Sequence, residues 1–255
     1  MEKQDRFFLK RMGELAAMAD RQYCPIFTEF LTLYESSMIL STSERLASVS
    51  IHSWGGYKEA ERRLICFSPI DYPLEESDFP ISCIHIYPKN QKFSENLSHR
   101  DFLGAVLNLG IERNRTGDIL IQEGDALLFC ESEIADFIES NLERIKHTTV
   151  FCEQKSFIEI SKEIFHPHVK IIKGFVSSLR LDTLIPVAFH VSRSSITGII
   201  HAEKVFINGR LTTENSMIVK ENDLISVRGM GKFRFIGIEK ESKKGRFLIQ
   251  IEKYC

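Results

Sequence analysis

An α+β fold in three parts is expected of this 255-residue chain. It comprises an N-terminal α/β domain over residues 1–78, a ferredoxin-like middle domain over 79–172, and a small two-helix-plus-strand domain over 173–255. Three observations predict it. Helical spacing gives way to short strand-type runs within the first third of the chain. The middle third then reads β-α-β-β-α-β, the split β-α-β order. Charge changes sign near residue 173: from Lys173 onward there are 14 basic and 8 acidic residues (+6), against 19 and 27 before it (−8). The length allows two or three domains, and 43% hydrophobic residues suffice to build their cores.

In the first part, Phe8, Leu9, Met12, Leu15, Ala16 and Ala19 recur at near-helical spacing and predict a helix over 5–20. Pro25 to Leu31 is expected to open a second helix, with proline in its first turn. Leu46 to His52 and Arg63 to Phe67 read as strands, separated by the breaker Gly55-Gly56. The Pro- and acid-rich stretch Tyr72 to Pro80 is expected to be a loop at a boundary.

In the second part, Ile81 to Tyr87 alternates as a strand does. Ser98 is placed to cap a helix from His99 to Leu109, and Gly110 to end it in the left-handed conformation. Ile119–Gln122 and Ala126–Cys130 flank Glu123-Gly124-Asp125, a hairpin signal. Ser132 is expected to cap a helix presenting Ile134, Phe137, Ile138, Leu142 and Ile145 on one face, followed by a strand over Thr148–Cys152. Ala126 to Cys130 lacks the basic-Gly-aromatic run by which RNA-reading sheets of this order are known. A structural sandwich, or one that binds by its edge, is therefore expected.

In the third part, Arg180–His190 and Arg193–His201 read as two short helices, the second capped by Ser192. Lys204–Ile207 reads as a strand entering the turn Asn208-Gly209. Strands follow at Leu224–Arg228, Phe233–Glu239 and Arg246–Glu252, the last pair joined by Lys243-Lys244-Gly245.

Other chemistries find little support. The six cysteines are scattered without a CxxC pair, which argues against zinc and for free thiols in a reducing compartment. No apolar run reaches about 18 residues, and the N-terminus mixes acids and bases throughout. Neither a membrane span nor a signal peptide is expected. No phosphate-loop, dinucleotide, zincin or serine-elbow motif occurs, and no cofactor is expected. His99-Arg100-Asp101 cannot form a relay, since adjacent helical residues point about 100° apart. His166-Pro167-His168 reads as a loop.

The third part carries the most chemistry. Arg180, Arg193, Lys204, Arg210, Arg228, Lys232 and Arg234 are interleaved with Ser192, Ser194, Asn208 and glycines. Cations so spaced can follow a phosphate ladder, and small polar residues fix the register. Arg193 and Ser194 open a helix, where exposed N–H groups favour an anion. Gly229 and Gly231 allow close approach of the backbone to a phosphate. Asn208 either turns the chain or offers its amide to RNA.

The runs Arg180-Leu181-Asp182, Ser192-Arg193-Ser194, Lys204-Val205-Phe206-Ile207-Asn208-Gly209, Asn222-Asp223-Leu224-Ile225 and Val227-Arg228-Gly229 resemble the RNA-binding domain named after small-subunit ribosomal protein S-four. Such modules often carry Ala-Gly-Lys-Val at the hairpin; here Ala202-Glu203-Lys204-Val205 places an acid beside the basic residue. Further upstream, Gly55-Gly56-Tyr57-Lys58-Glu59-Ala60-Glu61-Arg62-Arg63, His99-Arg100-Asp101-Phe102-Leu103-Gly104-Ala105-Val106-Leu107 and Gly117-Asp118-Ile119 resemble the YlmH-like family.

That resemblance implies an RRM-like middle domain, an S-four-type C-terminal domain and a bacterial, cytoplasmic, monomeric protein. It implies RNA partners, ribosomal or transfer, on the large ribosomal subunit, and a non-enzymatic role in rescuing stalled peptidyl-tRNA complexes. Arg100, Arg113 and Arg115 are expected as a secondary RNA contact. Two alternatives remain: an interaction protein of cell division, and a relative of the pseudouridine synthases. The synthases resemble the chain at Arg180-Leu181-Asp182, but Leu179 replaces their Gly and Ile185 and Val187 replace their Thr and Gly.

Overall fold

The structure, a computed structural model, describes residues 3–42, 48–90, 95–122, 124–157, 169–242 and 245–254. Among the described residues it is a mixed α/β molecule with three sheets and six α-helices. The chain divides into two compact units, residues 1–165 and 166–255.

The first unit opens with helix α1 (Lys3–Gln22). Its buried Met12, Ala16 and Ala19 pack on a three-stranded antiparallel sheet in the order β1 (Ile26–Phe27), β3 (Leu64–Pro69), β2 (Val49–Trp54). Central strand β3 is buried along its whole length. Its Ile65 and Phe67 join the core under α1, whereas Leu64 and Cys66 join a second core on the opposite face. Strand periodicity thus serves two layers at once.

The helix expected from Pro25 is replaced by β1. Ile26 and Phe27 pair with Phe67 and Cys66, the Thr28 hydroxyl accepts the Ile65 N–H (2.9 Å), and Leu31 bridges to Arg63. Short apolar runs fit either element, and here sheet pairing decides. Helix α2 (Leu33–Ser41) begins only after Thr32. The Thr32 hydroxyl accepts the Glu35 N–H (3.3 Å) and the Glu35 carboxylate accepts the Thr32 N–H (2.7 Å). The Thr32-x-x-Glu35 spacing is the sequence signal of this capping box. Of the strand expected at Leu46–His52, Leu46 and Ala47 lie outside the described residues.

The second sheet runs β5 (Thr116–Gln122), β6 (Asp125–Glu131), β4 (Ile81–Pro88), β8 (Thr148–Lys155), β7 (Arg144–Ile145), antiparallel throughout. One face packs α3 (His99–Leu107) and α4 (Ser132–Asn141) through Ile84, Ile86, Phe102, Val106, Ile134 and Ile138. The other face sends Ile81, Cys83, Leu127 and Phe129 into the core shared with the first sheet. Helix α4 is shorter than expected: Ile145 belongs to β7, and Phe137 is 47% exposed on the outer side. Glu123, in the β5–β6 turn, lies outside the described residues, but Gly124 is left-handed (φ 94°). Burial drives the thiols of Cys66, Cys130 and Cys152 up to about 12 and also raises Cys83, as expected of packed rather than reactive cysteines.

Two segments far apart in sequence lock these sheets together. Asp118 accepts hydrogen bonds from the Tyr57 hydroxyl (2.8 Å), the Glu61 N–H (2.7 Å) and the Arg62 N–H (3.2 Å). The Arg62 guanidinium donates to the carbonyls of Thr116 (2.9 Å), Phe30 (2.8 Å) and Arg113 (3.2 Å). A side chain at Gly56 would strike the Phe129 ring, and one at Gly117 the Phe30 ring.

The second unit is a six-stranded antiparallel sheet in the order β11 (Arg210–Leu211), β10 (Val205–Ile207), β12 (Leu224–Val227), β13 (Gly231–Glu241), β14 (Phe247–Tyr254), β9 (Val169–Val176). Helices α5 (Leu181–Phe189) and α6 (Arg193–His201) share its core with Val205, Ile225, Val227, Phe233, Phe235, Ile249 and Ile251. Edge strand β9 was not expected; it runs through the boundary placed at 172/173 and pairs with β14 along its full length. His166-Pro167-His168, Lys243 and Lys244 lie outside the described residues.

Candidate nucleic-acid interface

In the second unit the sequence-chosen cations fall into two groups. The first sits where α5 and α6 begin. Arg180 precedes α5, and its guanidinium meets Asp182 through Nε–Oδ1 (3.1 Å) and Nη2–Oδ2 (3.3 Å). Arg193, the first residue of α6, reaches the same carboxylate at 2.6 Å. The Asp182 side chain is only 10% exposed, whereas those of Arg180 and Arg193 are 40% and 55% exposed. One buried acid therefore holds two guanidiniums beside each other with a net positive charge and outward N–H donors. The Ser192 hydroxyl accepts the Ser195 N–H (3.3 Å) and lies 3.1 Å from the Ser194 hydroxyl, so both serines stand at the electropositive end of α6.

The second group lies on the sheet face opposite the helices. Phe206 pairs with Ser226, and Ser226 with Lys232; Leu224 pairs with Arg234, and Arg234 with Glu252. Residues directly opposite share a face, so Lys232 and Arg234 project on the same side as Phe206. The Arg228 guanidinium lies 4.7 Å from the Phe206 ring centre, and the Lys232 ammonium 5.0 Å from that of Tyr254. Arg234 donates to the Asn222 carbonyl (2.9 Å) and contacts the Tyr254 hydroxyl (3.4 Å). Lys204 stands at the rim, its carbonyl accepting the Arg228 N–H (2.8 Å). In this row the aromatic rings carry the cations on their faces and hold the charge at the surface of the sheet. Phe206 and Tyr254 were not singled out from sequence, because cross-strand register decides which aromatic a cation meets.

Two residues join neither group. Arg210 lies opposite Ile207, on the alternate side of the hairpin. Asn208 serves the turn: it and Gly209 are both left-handed (φ 48° and 77°), its amide donates to Asp223 (2.7 Å), and its amide oxygen accepts the Leu224 N–H (2.9 Å). Glu203 is left-handed as well (φ 58°). This accounts for the glycine in the resembling motif, since a side chain there is strained. Glu203→Gly is expected to stabilise the second unit by about 0.5–1 kcal/mol, read as a higher urea midpoint.

The three arginines of the expected secondary contact part company. Arg113 turns inward, donating to the Thr116 carbonyl (2.7 Å), the Thr116 hydroxyl (2.6 Å) and the Gly117 carbonyl (3.0 Å). Burial, with Arg62 nearby, brings its guanidinium down to about 10. Arg115 is paired with Glu131 (2.7 Å) and Glu133 (2.9 Å). Arg100 remains exposed on α3. Among the described residues no cluster of three or more His, Cys, Asp or Glu could hold a metal, and no helix is long and apolar enough to cross a membrane.

Comparison with known proteins adds the following. Residues 4–72 match the family model described as YlmH, N-terminal, and residues 74–159 match the one described as putative RNA-binding domain in YlmH. The ribosome-associated protein quality control protein P2 of Bacillus subtilis (strain 168) is 30% identical over 251 residues, covering 98% of this chain and 96% of that protein. A solved structure, the cell division protein ylmH from Streptococcus pneumoniae, is similar with a TM-score of 0.52 at 28% identity, over 62% of this chain and 95% of its own.

Proposed function

We propose, from the premise that this chain belongs to the YlmH family, that it is a non-enzymatic RNA-binding, ribosome-associated factor. It acts on the large ribosomal subunit, holding ribosomal or transfer RNA during quality control of stalled translation. The observation that carries this reading is the row of Arg228 over Phe206, Lys232 over Tyr254 and Arg234 beside them on the same face, with Lys204 at its rim. Phosphates meet the cations, which the rings beneath hold in place. The Arg180–Asp182–Arg193 clamp adds a phosphate site at the start of α6. The name of the Bacillus subtilis relative and the description of the family model over residues 74–159 support the same reading.

The finer architecture follows from it. We read residues 1–78, 79–172 and 173–255 as three parts, the first two sharing one core and the last extended back to Val169 by β9. The middle one is RRM-like, supported by the strand order β5-β6-β4-β8. The last is of S-four type, supported by two helices followed by the Asn208-Gly209 hairpin. The protein works as a cytoplasmic monomer. A second reading, an interaction protein of cell division, draws on the name carried by the Streptococcus pneumoniae structure.

Sedimentation through a gradient of ribosomes and split subunits tests the proposal. Wild type should travel with the large subunit, and a folded Arg193→Ala/Lys204→Ala variant should not. Absence of wild type from every ribosomal fraction would remove the ribosomal role and favour the division partner; equal migration of both proteins would move the anchor to another surface.

A further inference from the structure

The run His99-Arg100-Asp101-Phe102-Leu103-Gly104-Ala105 carries part of the resemblance read from the sequence, yet the interface above uses none of it. Its parts have separate places in the structure. Phe102 is fully buried in the core of the middle sheet. Asp101 starts α3 by accepting the Ser98 N–H (2.8 Å) and forms an ion pair with Lys146 (2.8 Å). Arg100 and Gly104 line a cleft of about 500 Å³ between α3 and the turn from α4 into β7, together with Arg144 and Lys146 and the acids Asp101 and Glu143, which leave it one positive charge in excess.

Three features give this cleft a ligand chemistry. Arg100 and Arg144 are exposed and, among the described residues, neither side chain is engaged in a hydrogen bond or an ion pair. Asp101 anchors Lys146 while the two arginines keep their donors free. Gly104 sits inside helix α3, where glycine weakens a helix. Packing does not require it, because a Cβ there would meet nothing within 4 Å. A bare stretch of helix in the same cleft as two exposed guanidiniums leaves room for a bulky anionic chain to lie close to the backbone.

We propose that this cleft is a second RNA-binding site, in which Arg100 and Arg144 take adjacent phosphates of an RNA backbone laid across Gly104. The assignment rests on the RNA-binding reading above and names a surface for it in the first unit. It also replaces the secondary contact expected from sequence: Arg100 keeps its place, and Arg144 and Lys146 stand where Arg113 and Arg115 were expected.

The test uses the full chain in filter binding to bulk tRNA and to large-subunit ribosomal RNA over a range of salt. Arg100→Ala/Arg144→Ala should reduce the slope of log affinity against log salt by about 1.4–1.8, the loss of two phosphate contacts. A control pair on the same unit, Arg6→Ala/Lys58→Ala, should leave the slope unchanged. Gly104→Leu should weaken binding while leaving the thermal midpoint equal or higher, which separates a blocked cleft from a damaged fold. If wild type binds RNA and the arginine and leucine variants bind with the same affinity and slope, the cleft assignment is wrong and the broader reading survives. If wild type binds neither RNA, both fall. If the slope is unchanged but binding of inorganic phosphate is lost in the arginine variant, the cleft takes free phosphate, and its assignment to RNA is overturned.

Discussion

Asp118→Ala is expected to destabilise residues 1–165 by about 3–4 kcal/mol. The carboxylate accepts three hydrogen bonds from a segment 56 to 61 residues earlier, from Tyr57, Glu61 and Arg62. Hydrogen bonds to a charged group contribute about 1.5–3 kcal/mol each, and water recovers part of the loss at Arg62, which is only partly buried. The Tyr57 hydroxyl has no such relief. It is buried, and burial together with Asp118 raises it far above an ordinary phenol, so it stays a proton donor that needs an acceptor. Asp118→Asn should cost less, about 2 kcal/mol, because the amide oxygen can still serve one side while its NH2 opposes the other. Trp54, the one tryptophan in the chain, packs on the shared core, so its fluorescence in urea reports the transition. A loss below about 1 kcal/mol for the alanine variant would mean that apolar contact alone joins the two sheets.

Gly56→Ala should be comparably severe, costing about 3 kcal/mol or more. Two effects coincide there. The backbone is left-handed (φ 94°), and an added Cβ would lie 2.3 Å from one Phe129 ring carbon and 2.6 Å from another. Phe129 cannot retreat, since its other neighbour is the Tyr57 ring stacked at 5.1 Å, and it is fully buried. The steric part is separable. In a Phe129→Leu background the Gly56→Ala penalty should shrink by about 1–2 kcal/mol, leaving the backbone strain behind. Equal penalties in both backgrounds would show that strain, and not the ring, is responsible.

Local signals survived the passage from sequence to structure; long-range ones did not. The alternation of Ile81–Tyr87, the Ser192 cap and the Asn208-Gly209 turn each lie within a few residues, and each is found in place. The Pro25–Leu31 run becomes a strand against expectation because seven apolar-rich residues do not distinguish helix from strand, and its partner β3 lies about 40 residues away. Arg113 looked like a surface cation because composition carries no direction; only the fold turns it toward the Thr116 and Gly117 carbonyls. The cations of the candidate interface were legible as types. Their division into a helix-end clamp and a sheet face, with Phe206 and Tyr254 beneath, required the register of β10, β12, β13 and β14.

The core shared by the first two sheets also imposes an order in time. A chain leaves the ribosome N-terminus first, so Phe30, Tyr57 and Leu64 emerge long before Asp118, Leu127 and Phe129. For that interval β3 has a cover on its α1 side and none on the other, and its Leu64 and Cys66 face water. The first 78 residues therefore cannot mature as a finished part while the rest is being made; they wait for β6. The last 90 residues have no such debt, because every strand partner of β9 to β14 is made within the same stretch of synthesis.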